Sequence, residues 1–160
     1  LINKALGNVD HTGGQLIVKT LGNTASPGTT SVGNSFAADL DTSAITLGNG
    51  VNTGGVLQYI GSGETSNRKI RLNTTNAPNQ THADGTGPLI LTNVVNDMNP
   101  AVTAKTLALR GTNAAGNMIT SQLSDNGGAL SIILDSSATW ILTNPLNNFT
   151  GTVSVNEPST

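Results

Sequence analysis

The chain has 160 residues, enough for one domain; 10% of them are charged, the net charge is −2, and there is no cysteine. So weak a field holds neither a phosphate backbone nor an anionic membrane surface, and no disulfide staples the fold. No apolar run approaches the roughly 20 residues of a membrane-spanning helix. Neither a nucleic-acid partner nor membrane insertion of this segment is therefore expected.

Phe36, Tyr59, Trp140 and Phe149 are the whole aromatic set, whereas 23 Thr, 20 Asn, 19 Gly and 13 Ser make up nearly half the chain. Compact cores lean on aromatic side chains for buried area. This core must instead be built from small branched residues. Regular short runs of Val, Ile and Leu interrupt the polar background and separate it from a disordered composition.

The chain opens on Leu1-Ile2-Asn3-Lys4-Ala5, without an initiator Met or the form of a signal peptide. The expectation is one repeat-built domain over 1–160, a fragment or processed piece of a longer protein. Residues 6–16 then read Leu-Gly-Asn-Val-Asp-His-Thr-Gly-Gly-Gln-Leu, and residues 47–57 read Leu-Gly-Asn-Gly-Val-Asn-Thr-Gly-Gly-Val-Leu. Seven of the eleven positions are identical, at an offset of 41 residues, and Leu21-Gly22-Asn23 is a third, weaker copy of the opening. Turn formers followed by an apolar strand start, repeated at such a period, mark a solenoid or a similar array.

Strands are expected near Gln15–Thr20, Ala44–Leu47, Val56–Ile60, Lys69–Asn73, Pro88–Thr92, Lys105–Arg110, Met118–Gln122, Leu130–Leu134, Thr139–Thr143 and Thr152–Asn156. From residue 44 onward most neighbouring centres lie about 12 residues apart, which with no helical stretch means an all-β chain. Gly13-Gly14, Gly48-Asn49-Gly50, Gly54-Gly55, Asp84-Gly85 and Asn126-Gly127-Gly128 supply the turns, where positive φ is expected.

A sandwich needs hairpins and a bulky core between two sheets. A parallel β-solenoid stacks coils over a narrow core and stacks Asn on Asn and Thr on Thr at its turns, as cross-β ladders do. Scarce aromatics and the long-range repeat favour the solenoid, a single one with little or no helix. At roughly 20–25 residues per coil it would have about six to eight coils. Alternation places Leu16, Val18, Leu57, Tyr59, Ile70, Leu72, Leu107, Leu109, Ile132, Leu134, Val153 and Val155 inside.

Residues 139–156, Thr-Trp-Ile-Leu-Thr-Asn-Pro-Leu-Asn-Asn-Phe-Thr-Gly-Thr-Val-Ser-Val-Asn, resemble the autotransporter-associated β-strand repeat. That repeat has an apolar strand, an Asn-x-aromatic-(Ser/Thr)-Gly turn and a short alternating strand. Asn147, Phe149, Thr150 and Gly151 fall on the turn, and Val153 and Val155 on the second strand. Residues 47–72 are similar to the stretch that follows the repeat. The family continues with Gly-x-Leu, whereas here Glu157-Pro158 follows, a departure that suggests a cap or a cut. The resemblance implies a right-handed parallel β-helix from the passenger or stalk of a bacterial protein, at the outer-membrane surface or outside the cell.

Titratable residues are sparse. Asp10-His11 becomes Val51-Asn52 in the second copy, so the repeat keeps the turn and drops the charges. Asp39 and Asp41 would share one face of an extended segment, a weak calcium locus. Asp84-Gly85-Thr86-Gly87 reads as a turn, and Gly61-Ser62-Gly63 lacks the strand-helix setting of a phosphate loop. Asp125 and Asp135 would need to meet across coils to cleave a glycoside. Lys69 and Arg71, with Arg68 beside them, read as a solvent face or edge protection.

Together these features favour a structural scaffold that extends, displays or joins surfaces and mediates adhesion, with no catalytic centre and no cofactor. Its partners would be neighbouring repeats or copies of itself, stacked end to end in a stalk or filament; the sequence singles out no surface glycan or receptor. The alternative is a carbohydrate-binding or carbohydrate-cleaving β-helix of the phage tailspike type, against which four scattered aromatics argue.

Overall fold

The computed structural model describes residues 2–5, 14–23, 31–32, 44–50, 52–95 and 104–156. Asp10, His11, Gly13, Asp39 and Asp41 lie outside the described residues. The described residues form fourteen strands, in chain order: β1 Ile2–Ala5, β2 Gly14–Val18, β3 Ile45–Gly50, β4 Val56–Tyr59, β5 Glu64–Ser66, β6 Ile70–Thr74, β7 Asn79–Ala83, β8 Leu89–Leu91, β9 Val94–Val95, β10 Lys105–Gly111, β11 Asn117–Ile119, β12 Leu130–Leu134, β13 Trp140–Leu142 and β14 Val153–Val155. No helix occurs among the described residues.

The strands form three sheets, in the orders β1-β2-β4-β7-β10-β12-β14, β5-β8-β11-β13 and β3-β6-β9. The path β4, β5, β6 visits each sheet once before β7 pairs with β4. That is the walk of a three-sided solenoid. Among the described residues every pairing is parallel except β1 with β2.

The 41-residue repeat is one step of this stack, because Leu16 pairs with Leu57 and Gln15 with Val56. Later steps are shorter: Val56 pairs with Gln80, 24 residues on, Asn79 with Leu107 after 28, and Lys105 with Leu130 after 25. The solenoid has about four turns, fewer than six to eight. The roughly 12-residue strand spacing concealed how many strands each coil holds, and the step from β2 to β4 uses 41 residues.

Side chains on alternate residues turn inward and stack in columns, since parallel in-register pairing places equivalent residues above one another. Leu57, Thr81, Leu109, Leu134 and Val155 form one such column. Val18, Leu57, Tyr59, Ile70, Leu72, Leu107, Leu109 and Ile132 are buried, and Leu16 and Leu134 pack half-buried against them. Val153 and Val155 do not belong to this interior: they are 58% and 72% exposed. Their register is right, opposite Ile132 and Leu134, but β14 is the last strand of its sheet and nothing described stacks beyond it. An inward direction buries a side chain only where another coil lies on both sides.

The glycine corners also differ from expectation. None of Gly14, Gly54, Gly55 and Gly151 has positive φ. Gly54 and Gly151 are needed for close approach, since a Cβ there would stand 2.3 Å from the Pro78 and Leu130 carbonyl oxygens of the adjacent coil. Positive φ is found as expected at Gly48 (84°), Asn126 (34°) and Gly127 (97°), and also at Gly22 (65°), so that two copies of Leu-Gly-Asn each carry a left-handed glycine after a buried leucine. Gly48-Asn49-Gly50, expected as a turn, continues β3 through a register shift.

Candidate functional site

The outward face of the seven-stranded sheet carries the richest polar cluster among the described residues. Strand register places Gln58 of β4, His82 of β7 and Arg110 of β10 in one column. Gln15 donates through Nε2 to Gln58 Oε1 at 2.7 Å, and Gln58 donates through its own Nε2 to Asp84 Oδ2 at 2.6 Å. Asp84 Oδ1 also accepts from the Thr112 amide and hydroxyl. Arg110 donates from Nε and Nη2 to the two carboxylate oxygens of Asp135, at 2.7 and 2.6 Å, and from Nη1 to Gln80 Oε1 at 2.6 Å. His82 Nε2 lies 3.1 Å from that same oxygen.

These bonds link five successive rungs; the Gln15–Gln58 bond is neutral, and those to Asp84 and from Arg110 are charge-assisted. The Arg110 guanidinium holds the Asp135 carboxyl below its usual range, with burial opposing and His82 assisting weakly. Asp125 is also held low, chiefly by the Thr150 hydroxyl and then by the Leu130 and Thr150 amides. Asp125 and Asp135 flank opposite ends of β12 and serve different partners, so the two do not converge as a hydrolytic pair would.

Corners form the second polar system. Asn79 is wholly buried: its Oδ1 accepts from the Asn73 and Thr74 amides, and its Nδ2 donates to the Thr74 and Thr106 carbonyls. Asn117 repeats the arrangement, accepting from Leu89 N and donating to the Asn113 and Thr139 carbonyls. Glu64 works one coil further up, accepting from the Leu21 and Gly22 amides at 2.6 and 3.1 Å. Buried backbone groups must find partners, and these side chains supply them where the chain turns too sharply for strand pairing.

In the last turn Asn147 accepts from Leu123 N at 2.8 Å, Phe149 packs on the core, and Thr150 donates twice to Asp125. Each residue of that motif docks on the preceding coil. Burial pushes the Tyr59 hydroxyl above its ordinary pKa, the Gly63 amide donating to it in opposition and Glu64 adding slightly. Among the described residues no group of three or more His, Asp or Glu gathers as a metal site would.

No family model and no solved structure matches the chain. Over 92 residues, 56% of its length, it is 38% identical to the adhesin BmaC autotransporter of Brucella suis biovar 1 (strain 1330). The chain spans about 3% of that protein. Both the partial homology and the β-solenoid fit a β-helix passenger segment of an autotransporter.

Proposed function

We propose that this segment is a structural module of a surface adhesin, extending and presenting a passenger outside the bacterial cell or at its outer membrane. It acts by shape and surface, with no catalytic centre and no bound cofactor. The observation that carries this reading is the column of stacked coils ending in the exposed Val153 and Val155 on an edge strand, in a chain similar to an adhesin. Apolar side chains and unpaired strand backbone together invite a further coil, from a longer chain or from a second copy.

Sedimentation of the purified chain tests the stacking. Concentration-dependent oligomers are expected, together with their loss when Val153 and Val155 are both changed to Lys. A chain monomeric at all concentrations, or oligomers indifferent to those changes, would contradict end-to-end assembly. Beads coated with the chain, scored for adherence to host-cell monolayers against uncoated beads, test adhesion separately.

A further inference from the structure

We propose that Asn126-Gly127 is a self-modification site, where the protein converts its own asparagine to aspartate and isoaspartate without an enzyme. The reaction needs the amide nitrogen of the following residue to reach the asparagine side-chain carbonyl. Glycine favours this, because no Cβ shields its nitrogen. Gly127 N attacks Asn126 Cγ, the Cγ–Nδ2 bond breaks, and ammonia leaves with the proton of the attacking amide. Water then opens the five-membered imide at either carbonyl, giving aspartate or its β-linked isomer at position 126.

The setting is open. Asn126 and Gly127 are exposed and occupy the tip of the turn between β11 and β12. Their φ values are 34° and 97°, outside strand geometry, and no atom lies within 4 Å of where a Gly127 Cβ would stand. The turn's closing bond is donated by Gly128 N to Asp125 O at 3.1 Å, which leaves Gly127 N outside that bond.

The chain carries its own controls. Asn49-Gly50 is the other Asn-Gly dipeptide, and it lies within β3, where Gly50 pairs with Thr74. Asp84-Gly85 would react through the same imide, but Asp84 is held by Gln58 and Thr112, and Gly85 packs against the Gly61 backbone. Opening at Asn126 adds one negative charge beside Asp125, at the corner that grips Thr150 of the next coil.

The folded full chain is incubated at mildly alkaline pH, and its charge variants are separated and mapped by peptide mass spectrometry. The expected result is a gain of one mass unit at position 126, ahead of position 49, with isoaspartate detected by a methyltransferase assay. Asn126→Gln should abolish the leading acidic variant and Gly127→Ala should slow its appearance several-fold. Faster conversion at Asn49 or at any other asparagine, or an unchanged acidic variant in Asn126→Gln, would overturn the proposal. Circular dichroism of each variant before incubation ensures that the folded chain is compared.

Discussion

Single residues decide whether one coil can lie on the next. Gly54 needs its missing side chain rather than unusual φ: any Cβ would overlap the Pro78 carbonyl oxygen. Gly54→Ala should therefore destabilise by about 2 kcal/mol or more, as overpacking against rigid backbone does. Gly127→Ala, which meets no neighbour but keeps a strained φ, should cost only about 1 kcal/mol. Denaturant midpoints of the two variants would separate clash from strain. Asn79 makes a comparable case for polar groups. Removing its amide strands the buried backbone of Asn73 and Thr74, so Asn79→Ala should cost about 3 kcal/mol. Equal stability of variant and parent would show that water replaces the side chain.

At the scale of elements, the outward ladder ties β7, β10 and the end of β12 together through Gln80, Arg110 and Asp135. Because Asp135 has a lowered pKa when folded, its contribution is complete above the unfolded carboxylate value of about 4. It is lost as pH falls through the lower folded value. Both side chains are about a quarter exposed, so the pair is partly screened. Asp135→Asn should cost about 1 kcal/mol at neutral pH and flatten the acid limb of a thermal-stability profile. An unaltered acid limb would assign that sensitivity to other carboxylates.

All ten strands with apolar runs were legible in the sequence, as was the solenoid behind the 41-residue repeat. β7 was not. Asn-Gln-Thr-His-Ala offers no branched apolar residue, and it is a strand because β4 and β10 pair with it on both sides. Glu64–Ser66 and Val94–Val95 are too short to carry a period. The outward ladder was equally hidden, since Gln58, His82 and Arg110 come together only through register across coils of unequal length.

For the whole molecule, stability depends on neighbours. Each coil presents an apolar layer that only the next coil can bury, so an end without a neighbour leaves Val153 and Val155 in solvent. The scaffold role proposed above draws on the same geometry: adding coils adds length and outward surface without changing the core.

Parallel, in-register stacking of coils is the premise of all this, and a disulfide tests it directly because the chain has no cysteine of its own. Gln58 and His82 are partners across β4 and β7, and neighbouring strands lie about 4.8 Å apart, within reach of a disulfide. The double variant Gln58→Cys, His82→Cys should oxidise within one chain, keep its β-sheet circular dichroism and unfold at a higher temperature than its reduced form. Failure of that bond to form, while Gln58→Cys cross-links instead to Asp84→Cys or Gln80→Cys, would show a shifted register and contradict the stacked solenoid described above.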